Sequence, residues 1–139
     1  MADSRAPDHR IPRQRVMLIE RIVRAARGLK GAPAAALLRD YFRGVGEEDL
    51  ASRTPISLVH LARAHLELAR RRRRGTTLVH AFSPEVGSDL GERHSYVLVV
   101  SDDRPFLVDS LSLVFSNAGI GVQMLIHPVL AALRKAYPA

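Results

Sequence analysis

The stretch Ser101-Asp102-Asp103-Arg104-Pro105-Phe106-Leu107-Val108-Asp109-Ser110 is the most informative group of charged and polar side chains in this chain. It joins an apolar run to an amphipathic one through an acidic turn. A strand-to-helix turn leaves backbone N–H groups unpaired at the helix start, where negative charge is favoured. Asp103 could serve as that cap itself, with Pro105 starting the helix, where its missing N–H costs nothing. Alternatively a small ligand such as an amino acid could dock its carboxylate on those N–H groups, with Asp102 and Asp103 holding its ammonium group. The candidate ligand-binding residues are therefore Asp102, Asp103, Arg104, Pro105 and Phe106. Asp109 and Ser110, one turn further on, are placed to fix the turn or to touch a neighbouring subunit. His127 precedes Pro128, which holds it extended, and joins them as an interface candidate.

Other chemistries find less footing. Ser110 has no G-x-S-x-G around it and no adjacent histidine, so it is not read as a hydrolase nucleophile. The histidines are His9, His60, His65, His80, His94 and His127. His60 and His65 are about 140° apart around a helix, and no H-E-x-x-H pattern occurs, so no metal site is assigned. Gly28, Gly31, Gly44 and Gly46 form no strand-linked dinucleotide fingerprint, so the chain is expected to hold no cofactor. No catalytic residue is assigned. Arg70 to Arg74 form a run of five arginines before Gly75. At a helix C-terminus such charge complements the dipole and reads as a solvated helix end or an inter-domain contact. Nucleic-acid binding is the weaker alternative, because no aromatic residues are interleaved with the run for base stacking.

The 139 residues carry 47% hydrophobic side chains and a formal charge of +7. A core can be buried, built from Leu, Val, Ile and Ala because aromatics are only 5%. There is no cysteine, which excludes disulfides and thiolate metal sites and fits a reducing cytoplasm. No apolar run approaches the roughly 18 residues of a membrane span, and the N-terminus lacks a secretion-signal pattern.

The elements that position the acidic turn can be read from periodicity and punctuation. Residues 1–12 form a polar lead-in expected to be disordered. Gln14 to Leu29 repeats apolar residues at helical spacing and ends at Gly28 and Gly31. A short second helix follows Pro33, with Leu37, Leu38, Tyr41 and Phe42 facing inward. Glu47 to Ser52 forms a helical turn. Thr54-Pro55 starts a third long helix that runs to about Arg73, with Gly75 as its stop. Residues 13–75 are thus a helical segment. The composition then changes. Thr76 to Phe82 has strand character, Ser83 to Arg93 reads as a loop, and His94 to Ser101 is apolar enough to be a strand buried on both faces. Pro105 to Ala118 is a helix with Leu107, Leu111, Val114 and Ala118 on one stripe, flanked by Val108 and Phe115, and with Gly119 as its cap. Gly121 to His127 alternates like a strand. Residues 76–139 are therefore an α/β domain that is incomplete as a sheet, with Val129 to Ala139 supplying another strand or leaving an open edge for another chain.

An apolar strand, an Asp-Arg-Pro turn, a Gly-closed helix and a second apolar strand resemble the opening of an ACT domain, a ferredoxin-like βαββαβ module that commonly binds amino acids. More narrowly, Asp102 to Leu111 and His127-Pro128-Val129-Leu130 resemble the N-terminal ACT-like region of the large bacterial NAD-specific glutamate dehydrogenases. Glu48-Asp49-Leu50 and the helix from Thr54 to Gly75 match the helical segment that precedes it in that family. The resemblance covers residues 13 to 130 and is most specific in 101 to 130. It departs at Phe106, where many ligand-binding ACT domains have Gly. It implies an α+β fold, with N-terminal helices followed by a partial ferredoxin-like β-α-β sheet. It also implies a non-catalytic regulatory or oligomerisation module of an NAD-dependent glutamate dehydrogenase, the parent enzyme using NAD to deaminate L-glutamate to 2-oxoglutarate. The implied partners are the remainder of the dehydrogenase chain and like subunits, with an amino acid as the effector class. A free-standing amino-acid sensor and a basic nucleic-acid-binding protein are the alternatives.

Overall fold

The computed structural model describes residues 12–85, 87–88, 90 and 94–130. Among these residues five helices and one hairpin follow in order: α1 (Arg13–Ala26), α2 (Ala35–Phe42), α3 (Glu47–Ala51), α4 (Pro55–Arg71), β1 (Leu78–Phe82), β2 (Tyr96–Val100) and α5 (Leu107–Asn117). The chain is α+β. The expected lead-in, apart from Pro12, and residues 131–139 lie outside the described residues.

The helical part is organised by its apolar stripes. Ile19, Ile22, Val23 and Ala26 bury one face of α1. They meet Leu38, Tyr41 and Phe42 of α2, Leu50 of α3, and Leu58, Val59 and Ala62 of α4 in one cluster. Phe42, Ile22, Leu38, Leu58 and Val59 are fully enclosed, each worth about 1.5–3 kcal/mol of transfer free energy. Phe42→Ala would leave a cavity at the centre of this cluster, costing about 3–5 kcal/mol. α4 begins as the Thr54-Pro55 pair predicts. The Thr54 side chain accepts from the Ser57 amide at 3.3 Å, and the Ser57 hydroxyl returns a bond to the Thr54 carbonyl at 2.7 Å.

The sheet consists of two antiparallel strands, with Leu78 opposite Val100 and Phe82 opposite Tyr96. It packs on α4 through Leu61, Tyr96 and Leu98. Phe82 and Tyr96 stack across the strands with ring centroids 5.5 Å apart, a cross-strand pair that holds the register. β2 differs from the expected doubly buried strand. Tyr96 and Leu98 are buried while Val97 is 44% exposed. The hairpin packs on α4 through Tyr96 and Leu98, and Val99 and Val100 are half-buried.

α5 ends as Gly119 predicts. Gly119 has φ +72, its amide donates to Ser116 O at 3.0 Å, and the Ile120 amide donates to Phe115 O at 2.9 Å. These two bonds and the left-handed glycine make a Schellman cap. The expected stripe holds at Leu107 and Leu111 with its flanking Val108 and Phe115, and fails at Val114 and Ala118. Leu107, Val108, Leu111 and Phe115 are half-buried, whereas Val114 is 62% exposed and Ala118 is exposed. The helix starts at Leu107 and not at Pro105. Gly121 to His127 is not a strand. Met124 and Ile126 still face inward and pack against both clusters, so the alternation described a face correctly. Strand formation needs a partner ladder for the backbone groups, and among the described residues none is offered.

Candidate functional site

Three elements converge at the acidic turn: the C-terminal end of α4, the end of β2 and the start of α5. α4 stops at Arg71, and Arg72 is its cap residue with extended backbone (φ −70, ψ 129). Leaving the helix there turns Arg72 away from its arginine neighbours and under the turn. Its Nε donates to the Thr76 carbonyl at 2.6 Å, and its guanidinium pairs with the Asp102 carboxylate. The Arg72 side chain is only 8% exposed. A cation so enclosed must be paired, and the fork geometry of arginine allows it to hold a carbonyl and a carboxylate together.

A second polar link crosses the interior one layer away. The Tyr41 hydroxyl lies 2.8 Å from His65 Nδ1, and His65 Nε2 lies 2.9 Å from the Val99 carbonyl. A carbonyl only accepts, so Nε2 carries the proton and donates to Val99, and Nδ1 accepts from the Tyr41 hydroxyl. Burial raises the Tyr41 pKa well above its ordinary value, which keeps that hydroxyl protonated and donating. α2, α4 and β2 are thereby joined through one imidazole. Nearby, Arg53 donates to the Tyr96 hydroxyl at 2.5 Å, and that hydroxyl donates to the Leu90 carbonyl at 3.0 Å.

The candidate ligand-binding residues do not come together as one pocket. Asp102 is engaged by Arg72. Asp103, Arg104 and Pro105 are exposed. Asp103 does not cap α5, whose start has no side-chain cap. Phe106 occupies the N-cap position with φ +64, ψ +11, and is 76% exposed. This is the left-handed conformation that glycine adopts freely and a bulky residue adopts at a cost. The position at which the resemblance departs from many ligand-binding ACT domains is thus a left-handed site in this chain. The interface candidates Asp109, Ser110 and His127 are all exposed. No group of three or more histidine or acidic side chains among the described residues is arranged to hold a metal ion. No helix among them is long and apolar enough to cross a membrane.

The sequence singled out neither Arg72 nor His65, and it placed Tyr41 facing inward without a role for its hydroxyl. Arg72 was hidden in a run of identical residues, and the signal that singles it out is its position just past the helix end. His65 lies on the flank of the α4 stripe, where a polar residue reads as exposed.

A wide groove opens beside this junction, between β2 and the end of α4 on one side and α5 with residues 120–130 on the other. Its walls are mostly apolar, and Arg70 to Arg74 lie along one end. The family model described as glutamate dehydrogenase, ACT1 domain, matches residues 37–137. The match therefore runs from α2 through the acidic turn and α5. No curated protein and no solved structure matches.

Proposed function

This chain belongs to the glutamate dehydrogenase ACT1-domain family, and from that premise we propose that it is a non-catalytic regulatory and assembly module of a cytoplasmic NAD-dependent glutamate dehydrogenase. In this reading NAD binding and the oxidative deamination of L-glutamate belong to the remainder of the enzyme. Residues 13–75 act as a helical platform and residues 76–139 as the ACT-like part that meets other chains.

The observation that carries the reading is the state of α5. It is amphipathic, yet none of its residues is buried, and Leu113 and Val114 are each 62% exposed. Phe106, Ile120 and Val122, on the segments that flank α5, are exposed as well. Exposed apolar surface of this kind marks a site of protein contact. Asp109, Ser110 and His127 are exposed on the same helix and segment and belong to that contact surface. The Arg72–Asp102 pair gives the acidic turn a mechanical role, since it ties α5 to the platform.

The test is capture of the native polypeptide from its source cell with an antibody against residues 76–130. Glutamate-dependent reduction of NAD in the captured material, with none in the purified 139-residue chain, is the expected result. Captured material without that activity, or activity in the chain itself, would overturn the proposal.

A further inference from the structure

The groove beside α5 has a volume of about 1930 Å3. That is well above the roughly 300–1,000 Å3 of pockets for small molecules. A helix is about 11 Å across, and a groove of this size has room for a short helical segment. Leu98 of β2 lies on one wall, Leu107, Leu111 and Phe115 of α5 on the other, and Met124 also lines it. Helix-in-groove recognition uses such a surface, apolar along its length and open at one side.

The charge at the rim specifies the occupant. Arg71, Arg73 and Arg74 line one end and are exposed. None of the three has a carboxylate partner among the described residues, in contrast to Arg72. The carboxylates on the lining are Asp102, which Arg72 holds, and Asp103. Three uncompensated guanidinium groups repel a basic segment and attract an acidic one. We infer that the groove receives an acidic amphipathic helix from the dehydrogenase polypeptide that this chain serves, with leucine-type side chains against α5 and carboxylates at the arginine end. The source of that helix rests on the function proposed above, whereas its chemistry rests on the groove.

The test uses three short synthetic peptides titrated against the 139-residue chain by fluorescence anisotropy. One is an amphipathic helix with Leu on one face and Glu on the other. The second is a scramble of the same composition, and the third has Lys in place of Glu. The amphipathic acidic peptide is expected to bind at least tenfold tighter than either control. The double variant Arg73→Glu/Arg74→Glu and the variant Leu111→Glu should each weaken it at least tenfold. Val79→Glu, on the exposed β1 and away from the groove, should not. Circular dichroism checks that each variant folds. Equal binding of the scramble, equal binding of the Lys peptide, or no binding would overturn the inference. The same variants are then used as bait for the dehydrogenase. If all of them capture it as well as the wild-type chain does, the assembly role survives and the groove assignment falls. If the acidic peptide binds as expected but no dehydrogenase is captured, the assembly role and the assigned source of the helix both fall.

Discussion

Arg72 and Asp102 form an ion pair that fastens the end of α4 to the turn between β2 and α5. The two residues lie thirty positions apart. Because the Arg72 side chain is 8% exposed and that of Asp102 is 48% exposed, the arginine is the partner that cannot turn to water instead. Asp102→Asn should therefore destabilise the fold by about 1–3 kcal/mol, the cost of leaving a mostly buried charged donor poorly satisfied. Arg72→Lys should not restore it, since an ammonium cannot span Thr76 O and the carboxylate with a planar fork. Urea unfolding of the three proteins checks both statements.

The Tyr41–His65–Val99 link makes a separate prediction. Tyr41→Phe removes the donor to His65 Nδ1 and should cost about 1 kcal/mol. His65→Ala strands the Tyr41 hydroxyl and loses the bond to Val99, and should cost more. There is also a pH signature. The folded-state pKa of Tyr41 is raised by burial above the unfolded value of 10.0. Its contribution to stability is therefore complete below that value and is lost as pH rises above it. Tyr41→Phe should flatten the fall in stability above pH 10, measured by thermal unfolding across the alkaline range.

Phe106 offers a gain. Its φ of +64 is unfavourable for a residue with a Cβ, and its ring is 76% exposed, so little burial is lost on removing it. Phe106→Gly should raise stability by up to about 1 kcal/mol, the left-handed strain relieved less the entropy that glycine adds to the unfolded chain. A lower melting temperature for this variant would show that the ring contributes packing that outweighs the strain.

Glu20 and Arg39 join α1 to α2 through two bonds, at 2.7 and 3.2 Å. The hydrogen bond from Arg39 holds the Glu20 carboxyl below its ordinary value of 4.5. A depressed carboxylate contributes stability above the unfolded pKa and loses it as pH falls through the folded one. The wild-type chain should therefore outlast Glu20→Gln at neutral pH by a small, salt-sensitive margin, because the pair is exposed. That margin should vanish in acid. Paired melting curves at pH 7 and below pH 4 provide the check.

Much of the fold was legible in the residues themselves. Thr54-Pro55 and Gly119 marked helix ends because a cap and a left-handed glycine act within a few residues. The stripes of α1, α2 and α4 were legible because helical spacing alone determines which side chains share a face. The same reasoning placed α5 and most of its inner face but missed its start, which depends on a backbone conformation at Phe106 that no local preference favours. It also failed for Gly121 to His127, where the alternation of Met124 and Ile126 was real but the ladder was not.

The sequence by itself determined the helices, the hairpin strands and the family to which the acidic turn points, because these rest on local spacing and on a contiguous motif. The tertiary structure alone decided that Arg72, out of five adjacent arginines, holds Asp102, and that His65 bridges Tyr41 and Val99. It also decided that α5 stands away from the core with a groove behind it. The physical reason is that burial, partner distance and the path of the backbone are set by residues far apart in the chain. Side-chain type and spacing say what a residue can do, and only its neighbours in space determine which of those things it does.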